Sequence, residues 1–354
     1  MSRTINMMSS ADKVKGQGVL SAYEEQVALV KNNLNEYDVR INKVKFADIM
    51  HYHTIDLEFF LTLPFAKISS ATVGYVHFLP ETLKNSIKLP KIIEKMFYKY
   101  VIQFYKSMDY LVTVNPYFID KLANYGIKRE KITYIPNYVS SKNFYKVSKS
   151  KKSEIRKKYG IEKNKFVVLT VGQLQKRKGI FDLVEIAKKM PDIQFVWAGG
   201  FSFKKISDGY EELKKILKNP PDNIKFLGII PREEMNDIYN ASDVMFLPSY
   251  EELFPMAILE SANCKIPILL RDIELYKGIL EGYYLSGTTN EEFINEILKL
   301  KNDNLYYNKA SQMAEKCSKY YSEENVAPMW RAYYNRIYKT SRKKKRKWRS
   351  ASEL

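Results

Sequence analysis

Cysteine and histidine are scarce in this 354-residue chain, with two of the first, Cys264 and Cys317, and three of the second. Two cysteines exclude a disulfide framework, and the chain reads as intracellular. The absence of a Cys/His cluster argues against a structural metal site. The pattern D-x-D occurs nowhere, so the usual carboxylate pair for holding a divalent ion on a nucleotide is missing. No apolar run approaches the roughly 18 to 20 residues that cross a bilayer, and the opening MSRTINMMSSADK lacks the apolar centre of a signal peptide. Acids are also few against bases: 40 Asp+Glu face 58 Lys+Arg, a net charge of +18. That excess implies an anionic partner, whether nucleic acid, acidic lipid or a phosphorylated substrate.

What is present is enough for two cores. Hydrophobic residues make up 45% of the chain, and its length suits two domains of about 150 residues. Short β-rich pieces alternate with helical-period pieces: TINMMSS, ADIMHYH, TVGYVHF, YLVTVN and KITYIP, then KFVVLTVG, IQFVWAGG, IKFLGII, DVMFLPS and IPILL. Strands separated by 15 to 30 residues of helix and loop indicate parallel βαβ units. The reading is α/β, with two Rossmann-like, doubly wound domains. An N-terminal domain takes residues 1–145, a polar Lys-rich linker 146–160 and a second domain 161–320. Residues 321–338 form a helix packing back on the N-terminal domain. The tail, 339–354, reads as basic and disordered.

One N-terminal helix is unusual in composition. Leu89, Ile92, Ile93, Met96, Phe97, Tyr100, Val101, Phe104 and Met108 make a continuous apolar stripe, surrounded by Lys88, Lys91, Lys95, Lys99 and Lys106. Two readings stand: an amphipathic helix packing on its own sheet, or a helix at residues 88–108 lying in an anionic membrane interface. Both can hold, because lysine stems snorkel.

The stretch PSYEELFPMAILESANCK, Pro248 to Lys265, places Glu252 and Glu260 eight residues apart at the junction of a loop and a helix. Phe254 and Pro255 lead into the helix, with proline at its first position. The amides of Met256, Ala257 and Ile258 are then expected to be unpaired at a positively polarised tip that suits a diphosphate. Glu252 and Glu260 bracket that tip, and carboxylates accept hydrogen bonds from vicinal hydroxyls. The strand VVLTVG leads through Gly172 to Arg177 and Lys178, cations suited to phosphate. Both loops follow strands, where open α/β sheets bind ligands. Of the histidines, His51 and His53 read as structural residues on opposite faces of a strand end, whereas His77 ends a strand and faces the cleft.

The motifs GQLQKRKG, FVWAGG, FLG and PSYEELFPMAILE resemble, in order and spacing, those of the retaining GT-B glycosyltransferases of family 4. KGQG after the first strand, GYVHF and IPNYV extend the likeness over nearly the whole chain. Within that family, MMSSADKVKGQGVLSAYEEQV, HYHTID, GYVHFLPET and DYLVTVNPYFIDKL look most like bacterial enzymes that add a second hexose to α-glucosyl-diacylglycerol. The resemblance implies two domains facing across a cleft and a UDP-glucose or UDP-galactose donor, with no tightly bound cofactor and no magnesium requirement. It implies a glycolipid acceptor and peripheral, monotopic attachment at the cytoplasmic face of the membrane.

By the same resemblance Glu252 contacts the donor hexose, Glu260 the ribose, Lys178 with Arg177 the diphosphate, and His77 the sugar near the reacting carbon. Gly16 and Gly18 lie under the diphosphate, and Leu253 stands where the family has glycine. The same fold with a capsule, teichoic-acid or protein acceptor is the alternative. A basic nucleic-acid-binding protein rests only on the charge and on RKKKRKWR at 342–349, without a recognised nucleic-acid module.

Overall fold

The computed structural model describes residues 3–13, 18–80, 90–201, 209–252 and 254–352. Two six-stranded sheets organise it. The first contains β1 (Arg3–Met8), β2 (Tyr37–Ile41), β3 (Ile49–Tyr52), β4 (Ala71–Val76), β5 (Tyr110–Thr113) and β6 (Ile132–Tyr134), in the order β2-β1-β3-β4-β5-β6. The second contains β7 (Phe166–Val171), β8 (Ile193–Ala198), β9 (Ile224–Gly228), β10 (Val244–Leu247), β11 (Ile268–Arg271) and β12 (Leu285–Gly287), ordered β12-β11-β10-β7-β8-β9.

Every strand pair in both ladders is parallel. Parallel strands covered by helices on both faces carry unbroken apolar runs, not alternation. Thus ATVGYV in β4 and IQFVWA in β8 are buried at every residue. Strand order reverses between β1 and β3 in the first sheet and between β7 and β10 in the second. A crevice opens at such a reversal, outside the carboxyl ends of the strands.

Three sequence expectations change. Strands β2 and β12, one at an edge of each sheet, were not among the expected pieces. The segment expected to be a linker contains the helix Lys149–Lys158, capped by Ser148, whose side chain accepts from the Lys151 amide. That helix is fastened to the second sheet. Buried Arg156 donates to the Ala241 carbonyl at 2.8 Å and to Asp243 at 2.7 Å, and Lys152 reaches the same Asp243.

The tail expected to be disordered is helical instead, continuing one helix from Glu323 to Ser352. Its composition pointed to disorder, but one face finds partners on the first domain. Ser341 donates to the Ser69 carbonyl, Lys344 to Ser70 and Asp109, and Lys345 to Asp48. Farther up, Trp330, Tyr333, Tyr334 and Ile337 are buried in the core that continues under the first sheet. Tyr334 takes a hydrogen bond from Gln26, and Asn335 one from Tyr37.

Candidate functional site

The loops after β7 and β10 are stitched to each other at the reversal of the second sheet. After β7 the chain turns through Lys176–Lys178 into Gly179, whose φ of 72° is left-handed. A Cβ on Gly179 would fall 2.4 Å from the Pro248 carbonyl oxygen, so only glycine lets the two loops approach this closely. Tyr250 donates its amide to the Arg177 carbonyl at 2.8 Å, and the Arg177 guanidinium returns a bond to the Glu251 carbonyl at 3.1 Å. From beneath, buried Arg271 holds the Pro248 carbonyl at 2.9 Å.

This stitching brings Gly172, Arg177, Lys178 and Glu252 together. Lys178 Nζ donates to Glu252 Oε1, and its stem passes 3.7 Å from where a Gly172 side chain would begin. Both charged side chains are withdrawn from solvent, at 12% and 7% exposed. Burial pushes the Lys178 ammonium below the ordinary lysine range, and Arg177 adds to the shift while Glu252 opposes it. Next to the pair stands Tyr276, fully buried, whose hydroxyl has no hydrogen-bond partner among the described residues. Burial, with the nearby Glu252 charge, raises that phenol well above its usual value.

The helix after the loop runs Met256–Asn263 with Pro255 as its N-cap, one position earlier than expected. Of the three first-turn amides expected to be free, that of Ile258 instead returns to the Pro255 carbonyl at 3.2 Å. Met256 and Ala257 have no backbone acceptor among the described residues. Phe254 is not at an open surface: its ring packs on Tyr321 at 5.0 Å, and its carbonyl is held by Asn137. Leu253 and Gly16 lie outside the described residues. Gly18 opens the helix Gly18–Asn33 in an exposed position, and a Cβ added to it would meet nothing within 4 Å.

Glu260, eight residues on from Glu252, has a different neighbourhood. Arg232 donates to its Oε1 at 2.8 Å and the Tyr239 hydroxyl to its Oε2 at 2.6 Å. The same guanidinium donates to Glu25 at 2.6 Å, on the first helix of the other domain, over the Phe144 ring. Glu25 in turn accepts from the Ser140 amide at 2.9 Å. Arg232, Glu25, Tyr239 and Tyr276 escaped the sequence reading. The one available signal was the position of Arg232 directly after FLGIIP, at the carboxyl end of β9.

On the first sheet the three histidines form one group. His51 and His53 share a face, as residues two apart in an extended chain must, which corrects the expectation of opposite faces. Their rings lie 4.4 Å apart. Tyr75 stacks on His53 at 5.0 Å and on His77 at 4.2 Å, and Trp330 and Tyr334 close the group. His51 Nδ1 meets the Tyr334 hydroxyl at 2.8 Å, whereas both ring nitrogens of His53 lack partners among the described residues. Burial lowers His51 and His77 to about 3 and His53 well below its ordinary value. All three are therefore neutral near pH 7.

Residues 39–143 match the family described as Glycosyltransferase Family 4, and residues 151–320 that described as Glycosyl transferases group 1. Over 340 residues the chain is 43% identical to alpha-galactosylglucosyldiacylglycerol synthase of Streptococcus pneumoniae, covering 96% of this chain and 91% of that one. It is 24% identical over 331 residues to alpha-monoglucosyldiacylglycerol synthase of Acholeplasma laidlawii, covering 88% and 80%. Among solved structures, sucrose-phosphate synthase from Thermosynechococcus elongatus superposes with a TM-score of 0.76 at 15% identity, over 96% of this chain and all of that one. Anabaena HepE in complex with UDP-glucose gives 0.72 at 16%, over 94% of this chain and all of HepE. Two parallel sheets of this topology, motifs in this order and a 43% identical relative over nearly the full length agree: the chain belongs to the family 4 glycosyltransferases and has the GT-B fold.

Proposed function

We propose that the protein is a retaining hexosyltransferase that moves glucose or galactose from a UDP-sugar onto α-monoglucosyl-diacylglycerol at a membrane surface. The observation that carries this reading is the buried Lys178–Glu252 pair, whose glutamate precedes Pro255, the N-cap of the Met256–Asn263 helix, by three residues. Departure of UDP builds negative charge on the β-phosphate. Lys178, Arg177 and the amides of Met256 and Ala257 are preorganised positive groups for it, in a setting poor in water. A diphosphate arriving there draws the Lys178 ammonium, and Glu252 is released toward the hydroxyls of the hexose. Glu260 takes the ribose, and His77, neutral, faces the sugar near the reacting carbon. Gly16 and Gly18 lie beneath the diphosphate.

The bond from the anomeric carbon to the β-phosphate oxygen breaks as the acceptor hydroxyl attacks from the same face, its proton passing to the departing phosphate oxygen, and no divalent ion is needed. Support for a glycolipid acceptor comes from the relatives named for glycosyl-diacylglycerol synthesis, and for the donor from HepE, which carries UDP-glucose. A peripheral position at the cytoplasmic membrane face, through residues 88–108, agrees with the exposed Ile92, Ile93 and Met96 and the net charge of +18.

Purified protein is to be incubated with radiolabelled UDP-glucose or UDP-galactose and α-glucosyl-diacylglycerol in detergent micelles containing EDTA. A labelled diglycosyl lipid with an α linkage is the expected product. No product with either donor would sink the proposal, and product only after adding magnesium would sink its metal-free part.

A further inference from the structure

We infer that the basic end of the C-terminal helix is a docking arm for an anionic bilayer, working beside an apolar stripe on helix Leu57–Ser69. The inference deepens the glycolipid reading, on which its biological meaning rests. The helix Glu323–Ser352 has two unlike faces near its end. Ser341, Lys344 and Lys345, spaced three and four apart, point at the first domain and are tied to Ser69, Ser70, Asp109 and Asp48. Arg342, Lys343, Arg346 and Lys347 lie on the other face, exposed, and Trp348 follows at 55% exposure. A stretch of like charge normally frays because its members repel. Here two of its lysines are neutralised by buried-side carboxylates, which fixes the remaining cations in place.

The arm is anchored at the carboxyl end of helix Leu57–Ser69, and that helix is apolar on both sides. Phe59, Leu63 and Ala66 face the core, while Leu57, Leu61, Phe65 and Ile68 form a second stripe, each between 47% and 64% exposed. Helix Lys91–Lys106 packs against it through Phe60 and Tyr100, with ring centroids 5.6 Å apart. Its first turns add exposed Ile92, Ile93 and Met96 among Lys91, Lys95 and Lys99. An uncovered apolar stripe of this extent needs an apolar partner. The flanking cations need an anionic one. A bilayer with acidic headgroups supplies both, whereas a nucleic acid has no use for Leu61, Phe65 and Ile68.

The test is flotation of the full-length protein with vesicles of equal parts phosphatidylglycerol and phosphatidylcholine, compared with phosphatidylcholine alone. No sugar donor is present, so the result is independent of whether the transfer reaction above is correct. Each cation beside an anionic surface contributes about fivefold, so R342Q/K343Q/R346Q/K347Q, which removes four, weakens partition by roughly several hundredfold. L61S/F65S weakens it by about tenfold or more. Both variants keep the wild-type melting temperature, and both keep transfer to acceptor dispersed in detergent micelles if the wild type shows it. Unchanged vesicle binding by the quadruple variant would overturn the inference. So would a quadruple variant that loses a DNA duplex and vesicles alike while L61S/F65S binds vesicles normally, since that pattern marks a general polyanion binder.

Discussion

At the carboxyl ends of its two sheets the chain presents opposite chemistries. The second sheet gathers charge: Lys178 against Glu252, Arg177 beside them, and Arg232 bridging Glu260 to Glu25. The first sheet gathers neutral rings, His51, His53, His77 and Tyr75, stacked on Trp330 of the C-terminal helix. The difference teaches a division of labour. On the proposed reading, the charged side would hold the diphosphate through cations kept dry by their own counter-ions, and the neutral side would hold the sugar and its acceptor by shape and by uncharged donors and acceptors.

The largest effect is expected from breaking the charged side. Lys178→Ala removes the cation nearest Glu252 and should lower kcat/KM by about a hundred- to a thousandfold, the usual loss for one preorganised donor to a developing anion. It also strands a buried carboxylate, which costs about 3 to 5 kcal/mol of stability. Lys178→Met with Glu252→Gln separates the two consequences. Thermal melts should return toward wild type in the double variant, and turnover should not. Recovery of turnover together with stability would show that Lys178 only holds the loops in place.

The neutral side is sharpened by pH. Buried His51 and His53 and half-buried His77 have folded pKa values far below the unfolded value near 6.5. Below pH 6.5 the unfolded chain takes up protons that the folded chain refuses, so stability falls as pH falls and is level above that point. From pH 7.5 to 5 the loss is about 2 kcal/mol per histidine. Urea melts at those two values should show it, and His53→Phe should remove about one third of the histidine slope. An unchanged slope in that variant would mean that the ring of His53 is hydrated and titrates freely.

A smaller effect is expected where the two sides meet. Arg232→Lys keeps the charge but cannot hold Glu25 and Glu260 with one planar fork. Donor KM should rise by roughly tenfold, about 1.4 kcal/mol, with kcat changed less. A fall in kcat at constant KM, in initial-rate measurements, would place Arg232 in the chemical step instead.

The parts of this comparison that were legible in the sequence are those set by neighbours along the chain. Glycine turns after apolar strands, the proline before MAILESAN and the cations of KRKG announced the second-sheet cleft, because each acts through local backbone geometry. The core strands were equally visible, since VVLTV and IQFVWA have no polar face. Short edge strands such as Leu285–Gly287 were not, because three residues carry no periodicity and their pairing is decided by β11. Arg232 was hidden for a related reason: it is one of 58 basic residues, and its two partners lie 207 and 28 positions away. The tail was misread because its composition describes the free chain, while Asp48 and Asp109, which order it, are contributed by a distant part of the sheet.

The smallest effect is expected at Gly18, the glycine that the family resemblance puts beneath the diphosphate. It is exposed, it is the first residue of its helix, and it has open space where a side chain would start. Its contribution to an anion would be its amide, which alanine retains, and alanine is also the better helix former. Gly18→Ala should therefore leave the melting temperature unchanged or slightly raised, and turnover within about twofold of wild type. If turnover instead fell by more than an order of magnitude with the fold intact, the donor would have to approach the Gly18 backbone too closely for any side chain. The diphosphate would then sit directly against the Gly18 backbone, and the first sheet would hold the donor as tightly as the second, not merely lie beneath it.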